Sequence, residues 1–309
     1  MSLTELLRIN SWAKPWQSSF ESANLGEVQA LSLPRAIAKP EGLLADFARA
    51  RRQYHFQLIA LGTARWNDWA AQMSALNRGL RNSRIDAIWA AFAHVDFSDE
   101  TFQYELDVAT LSFPGAFSLT RSRMDTYFTA SGMQVFGAFN AANANFAHDA
   151  TLQHCVFHGP VHAYDSQWRG RIEARNMTCY DELRLRGCNF SKDIWFSDSK
   201  LSELADFTGA HFASDAGFGG AHFGGVACFD GVEFDDTLGM EACHFSSTLT
   251  FRRAKFSKRL FLRDAVFAEE PVIDGAHFAS APVLDGAQFP DAAPLVAARS
   301  SIRRVAADG

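Results

Sequence analysis

Between Phe97 and Phe289 an apolar residue returns at two fixed places in almost every eleven-residue unit. The clearest run is Phe207, Phe212, Phe218, Phe223, Phe229, Phe234, Met240, Phe245, Phe251, Phe256, Leu262, Phe267, Ile273, Phe278, Leu284 and Phe289. Its steps alternate five and six without a slip. Small residues stand two places earlier at Ala210, Ala221, Cys243, Ala254, Ala265, Ala276 and Ala287. A helix repeats its faces every ~3.6 residues and a strand every ~2, so neither accounts for this register. A stack of short repeating units does.

The units read FTGAHFASDAG from Phe207, FGGAHFGGVAC from Phe218 and FDGVEFDDTLG from Phe229. Residues at i and i−2 of an extended segment lie on one side, so the Phe and the small residue both point inward. Polar residues or glycine then turn the chain through a corner. Gly209, Gly220, Gly231, Gly275 and Gly286 recur at one such place, as turn residues rather than as a phosphate loop.

On these residues the chain resembles the pentapeptide-repeat family, in its Phe-rich variant with alternating five- and six-residue steps. The likeness covers 97–289 and is most specific over 185–289. It implies an all-β solenoid, a right-handed quadrilateral parallel β-helix whose four sides make a coil of about 22 residues. Gly62 with Trp66, Asn67 and Trp69 also resembles a Gly…Trp-Asn-x-Trp segment that precedes the repeats in some members.

A 22-residue coil predicts which charges stack, about 4.8 Å apart. Asp230 meets Arg252, Glu233 meets Lys255, Asp236 meets Lys258 and Glu241 meets Arg263; one coil on, Arg252 meets Asp274 and Arg263 meets Asp285. All six pairs are opposite in sign, whereas an offset of 11 sets Arg252 on Arg263. Between 130 and 180 the anchors shrink to Ala130, Ala141, Ala163 and Ala174. Trp168, Phe139 and Phe136 are expected to refill that volume, in coils that are distorted or least stable.

Three segments follow: an α-helical N-terminal segment at 1–95 that caps the solenoid, the β-helix at 96–294, and a tail at 295–309. Leu43, Phe47, Ala50, Tyr54, Leu58 and Leu61 form one helical stripe, begun by Pro40 and ended by Gly62; Trp66, Trp69, Met73 and Leu76 form a second. Ser83 with Asp86 caps a third helix carrying Ile85, Ile88 and Trp89, while Pro15 and Pro34 break the chain upstream. The Trp66–Trp69 stripe reads as core that covers the end of the stack, rather than as a peptide groove. Leu295, Val296 and Ile302 partly cover the other end.

Composition, with 48% hydrophobic and 21% charged residues, is that of a folded protein rather than a disordered one. Residues 1–96 hold 11 Lys/Arg against 8 Asp/Glu, and 97–294 hold 15 against 26, so the repeats are acidic. No segment has the length of a membrane helix, Glu5 and Arg8 interrupt any leader pattern, and a cytoplasmic location is expected. Five cysteines are an odd number without a C-x-x-C pair. Cys155, Cys188 and Cys243 take the small place and Cys179 an anchor, so these four read as free core thiols.

Several groups invite a chemical reading. His148, His154, Cys155, His158 and His162 with Asp149 and Asp165 have the composition of a metal cluster, but Leu152, Phe157 and Ala163 keep the repeat register, which points the imidazoles apart. His211, His222, His244 and His277 occupy an outward place, with His222 stacked one coil from His244, and read as solvated. The charge ladders over 230–285 read as neutralising neighbouring coils. Neither a Ser/His/Asp arrangement, an HExxH nor a Walker motif is present, and Asp235–Asp236 lies at an exposed corner.

No catalytic, cofactor-binding or metal-binding residue is therefore assigned, and no cofactor is expected. The leading expectation is a non-catalytic protein–protein interaction scaffold with an unidentified protein partner; direct nucleic-acid binding and a membrane span are not expected. One alternative, drawn from the resemblance, is a DNA mimic that binds DNA gyrase. About nine coils span ~43 Å, over which duplex DNA presents roughly 25 charges, against a repeat region that is −11 overall. A basic band of Arg252, Arg253, Lys255, Lys258, Arg259 and Arg263 also interrupts the acidic field. A second alternative is an enzyme with a carboxylate site in a lateral groove of the β-helix.

Overall fold

The computed structural model describes residues 40–79 and 89–290. Its repeat region opens with β1 (Val95–Asp96), β2 (Thr101–Phe102), β3 (Leu106–Asp107) and β4 (Ser112–Phe113), which together make one coil. Each pairs in parallel with a strand 22 residues on: Val95 with Phe117, Thr101 with Arg123, Leu106 with Phe128, Ser112 with Gln134. Repetition builds four parallel sheets, named here after their first strands; the β2 sheet has nine strands and the others eight. The result is a parallel β-solenoid of about eight turns.

The charge stacks follow that register. Arg252 reaches Asp230 at 3.2 Å and Asp274 at 4.0 Å, and Lys255 pairs with Glu233. The Asp236 carboxylate also accepts the Thr237 amide at 2.9 Å, and Arg263 also lies over the Phe261 ring at 5.0 Å.

The alternation of five and six has a conformational cause. The strand starts alternate in the same way, and every six-residue step from one strand start to the next, such as Val95 to Thr101, holds one residue at positive φ, from Asp99 (63°) through Thr110, Arg121 and Gly132 to Gly286 (74°), always eleven apart. The preceding carbonyl closes the corner, as Phe207 does on the Ala210 amide at 2.9 Å. A left-handed residue in the third place of such a turn is the type II pattern, which favours glycine. Five-residue steps lack it. The glycines expected at corners occupy this place, with φ of 65° to 74°. Elsewhere Asp, Asn, Arg, Thr, His or Ala accepts the strain. Thr110→Gly and Ala242→Gly are each expected to stabilise the chain by about 0.5–1 kcal/mol. Gly231→Ala, whose added methyl group would meet no atom within 4 Å, is expected to cost about 1 kcal/mol. Urea midpoints moving in the opposite sense would contradict this account of the corners.

Each side of the coil sends two residues inward, and their sizes trade off. In the C-terminal half Phe207, Phe218 and Phe229 face inward two places after Ala205, Ala216 and Ala227, all fully or almost fully buried. Earlier the order reverses: Ala130 follows Phe128 and Ala141 follows Phe139, so the volume is conserved and the coils run undistorted. At Val161 with Ala163, and Ile172 with Ala174, neither partner is large. There the core holds an apolar void of about 40 Å³, lined by these residues and by Trp168, Met177 and Phe196. Trp168 fills a Phe place by stacking on Phe146 at 3.8 Å and donating its indole N–H to Ser166 at 2.7 Å. Phe136 does not refill the core as expected. It follows the inward Val135, so alternation points its ring outward, and it is 47% exposed. Backbone amides of 152–196 are expected to exchange faster than those of 207–267, because loosely packed coils open more readily; uniform protection would contradict this.

Cys155, Cys179, Cys188 and Cys243 are buried free thiols. Burial pushes Cys155 and Cys243 up to about 12 and Cys188 up to about 11, and raises Cys179 as well. Three donate to the carbonyl 25 residues earlier, as Cys188 does to Ala163 at 2.8 Å.

Two helices precede the coils, α1 (Pro40–Ala60) and α2 (Thr63–Gly79). Gly62, at φ 92°, ends the first as expected. Leu58 of the expected stripe is buried, as is His55 beside it, but Leu61 is 67% exposed, since it lies one residue past the helix. Trp66, Trp69 and Met73 are buried. The Trp66 indole donates to the Ser112 carbonyl at 2.8 Å, and the Asn67 side chain accepts the Ser112 amide at 2.9 Å and donates to the Thr110 carbonyl at 3.1 Å. Asn67 thus satisfies strand groups that no earlier coil pairs. Phe56 stacks on Phe97 at 4.3 Å and extends an internal column. The readings on Pro15, Pro34, Ser83, Ile85, Asp86, Ile88, Leu295, Val296 and Ile302 fall outside the described residues, as do the side chains of Leu43 and Phe47.

Candidate interaction surface

The four corners of each coil form four ridges along the stack. Three of them carry arginine or lysine: Arg121, Arg186 and Arg252 between the β1 and β2 sheets, Arg169 and Lys258 after β2, Arg175 and Arg263 after β3. The fourth, from the β4 sheet to the β1 sheet, has none among the described residues. It runs Pro114-Gly115-Ala116, Phe136-Gly137-Ala138, His158-Gly159-Pro160, Tyr180-Asp181-Glu182, Ser202-Glu203-Leu204, Gly224-Gly225-Val226, Ser246-Ser247-Thr248 and Ala268-Glu269-Glu270.

Register turns this ridge into an aromatic ladder. Phe136 and His158, one coil apart, stack at 4.5 Å with planes 3° apart, and His158 stacks on Tyr180 at 5.3 Å. The ladder is in solvent: Phe136 is 47% and Tyr180 50% exposed. Gly137 beneath it is obligatory, because an added Cβ would lie 2.6 Å from the Ala116 nitrogen of the previous coil. Beside Tyr180 a concavity is lined by His158, Asp181, Glu182, Glu203 and Leu204. A second, around His162, Tyr164, Arg184 and Arg186, shares Glu182 with it. Glu182 accepts from His162 at 3.0 Å and from Arg184 at 2.7 Å. His162 first, then Arg184, hold its carboxyl below the usual range. It is an ionised acceptor, unsuited to donate a proton near neutrality.

The histidines considered as ligands are dispersed. His154 is a left-handed corner residue at φ 58°, His158 belongs to the ladder, His162 faces out of the β1 sheet, and His148 lies 5.5 Å from the Tyr127 ring. Asp149 accepts the Arg171 amide at 2.8 Å, and Asp165 is another left-handed corner residue. His211 meets Asp235 at 2.7 Å, whereas His222 and His244 stack at 6.4 Å on the β4 sheet and His277 ends the β2 sheet. Among the described residues no group of three His, Cys, Asp or Glu is arranged to hold a metal ion. No described helix is long and apolar enough to cross a membrane. An open cleft between Phe56, Ile59 and the 101–111 corner carries the exposed Tyr104, but Glu105 and Asp107 there are engaged by the Thr129 hydroxyl and the Ala109 amide.

Residues 174–222 match the family model described as pentapeptide repeats, in nine copies. That segment of the solenoid carries pentapeptide repeats. No curated protein and no solved structure matches it. The matched segment includes Tyr180, Asp181, Glu182 and Glu203 of the ridge, whereas Phe136, His158, Glu269 and Glu270 lie outside it. Neither exposed ring was read from the sequence as a site. The available signal was the 22-residue spacing of Phe136, His158 and Tyr180, one place after the inward column of Val135, Phe157 and Cys179.

Proposed function

We propose that this pentapeptide-repeat solenoid is a non-catalytic scaffold that docks a protein partner along the ridge between the β4 and β1 sheets. The observation that carries the reading is the solvent-exposed ladder of Phe136, His158 and Tyr180. Exposed, aligned aromatic rings are what interface anchors are made from, and a solenoid offers them on a long regular surface. Under the same reading residues 1–95 form a cap, 96–294 the interaction domain and 295–309 a tail, in a cytoplasmic protein. Support for the cap lies in Trp66 and Asn67, which meet the unpaired edge of the first coil. The DNA-mimic alternative draws no support from the outward columns: that of the β2 sheet runs Thr101, Arg123, Asn145, Gln167, Asn189, His211, Glu233, Lys255 and His277, mixed in sign. The lateral-groove alternative draws no support from Glu182, which the two concavities share and which His162 and Arg184 hold ionised.

Affinity capture from the native cell with the full chain, beside a Phe136→Ser, Tyr180→Ser double variant, tests the proposal. A defined partner retained by the first and lost by the second is expected. Equal retention, or none by either, overturns it.

A further inference from the structure

Resting on that scaffold reading, we propose that the β4-to-β1 ridge recognises an extended basic segment of its partner. Among the described residues the ridge crest carries five carboxylates and no arginine or lysine, while every other ridge carries cations. Its anions are grouped. Asp181, Glu182 and Glu203 occupy two adjacent coils at the foot of the ladder, and Glu269 with Glu270 lie three coils beyond Glu203. Between the groups the crest is apolar or hydroxylic, with Val226 37% exposed.

The charge already spoken for does not cancel this. Glu182 is matched by His162 and Arg184, and Lys200 lies on the flat of the neighbouring β4 sheet. Asp181 accepts the adjacent Glu182 amide and Glu269 the Thr248 hydroxyl, neither of them a cation. Glu203 is exposed at the concavity that His158 and Tyr180 wall. A guanidinium or ammonium seated there meets a carboxylate and an aromatic face together, the combination that selects cations.

Spacing narrows the partner further. Three coils span about 14 Å, the length of about four residues of extended chain. The ridge therefore fits a segment with two basic residues about four positions apart, an apolar residue between them and another against Phe136. Duplex DNA is a poor model for this surface, because it would place a charge every ~1.7 Å.

The test is fluorescence anisotropy with the full chain and three labelled decapeptides of one valine–serine background. They carry two arginines, two glutamines or two glutamates four positions apart. The arginine peptide is expected to bind at least about tenfold more tightly than the glutamine peptide, and Glu203→Lys or Tyr180→Ser to remove most of that difference. Asp68→Lys makes the same change of charge on α2 and is expected to leave binding unaltered; an equal loss there would reduce the effect to net charge and overturn the proposal. Equal binding of the three peptides, or none, also overturns it. If partner capture still depends on Phe136 and Tyr180 in that event, the scaffold reading stands and only the partner's chemistry is wrong.

Discussion

Phe234→Asp is expected to collapse the coils around it, at a cost upwards of about 4 kcal/mol. Phe234 is 1% exposed and lies in a column between Phe212 at 4.9 Å and Phe256 at 5.2 Å. Burying each such ring contributes roughly 2–3 kcal/mol. A carboxylate there loses that burial and adds a charge with no polar partner in the column. Because each coil is stabilised by its neighbours, the damage spreads to both sides. Phe136→Asp offers the matched control: the same chemical change on a half-exposed ring is expected to cost under about 1 kcal/mol. Denaturant unfolding followed by circular dichroism separates the two. Similar losses would mean that inward and outward places have been confused.

Acid is expected to release the helical end before the coils unfold. His55 is fully buried, with its ring 5.2 Å from Trp69 and 6.1 Å from Trp66. Burial, and then the nearby Arg51 charge, lower it to about 3. His94 is lowered by burial and by the same arginine. Burial raises Asp96, but hydrogen bonds from Ser98 and the charges of Arg52 and Arg51 outweigh it, leaving its carboxyl below the usual range and ionised through most of the window. A histidine lowered on folding binds its proton better in the unfolded chain. Its contribution is complete above the ordinary value of 6.5 and is lost as pH falls from there toward about 3. At ~1.4 kcal/mol per unit, about 2–3 kcal/mol is gone by about pH 4.5. Tryptophan fluorescence should report this loss before the far-ultraviolet β signal changes, and His55→Leu should flatten it. A helical end equally stable at both pH values would contradict the burial of a neutral His55.

The solenoid was legible because its inward residues obey a strict period. Phe207 through Phe289 could be counted, and the opposite charges of Asp230, Arg252 and Asp274 chose 22 over 11. The corners were only half legible. Glycines such as Gly209 and Gly231 announced positive φ, but Thr110, Arg253 and Ala242 adopt it too, and those residue types give no such signal. Exposed corners tolerate the strain because the stacked strands on either side hold them in place. Phe136 was misread for a related reason. Its apolarity suggested core, yet one step from Val135 reverses the face, and the missing volume beside Ala141 is supplied by Phe139. The ridge is therefore a product of register more than of composition: its rings lie 22 residues apart in the sequence and touch only in the coil.

That dependence gives the most direct test. A chain carrying Phe136→Cys with His158→Cys places two outward thiols on adjacent coils, about 4.8 Å apart along the stack and within the Cα spacing a disulfide accepts. The native Cys155, Cys179, Cys188 and Cys243 are buried and stay out of the exchange, and the half-buried Cys228 is replaced by serine in both chains. Mild oxidation is expected to close this pair rapidly and leave Phe136→Cys with Ala147→Cys, eleven residues apart on another ridge, unlinked. Efficient closure of the second pair in place of the first would contradict the 22-residue coil and, with it, the ladder.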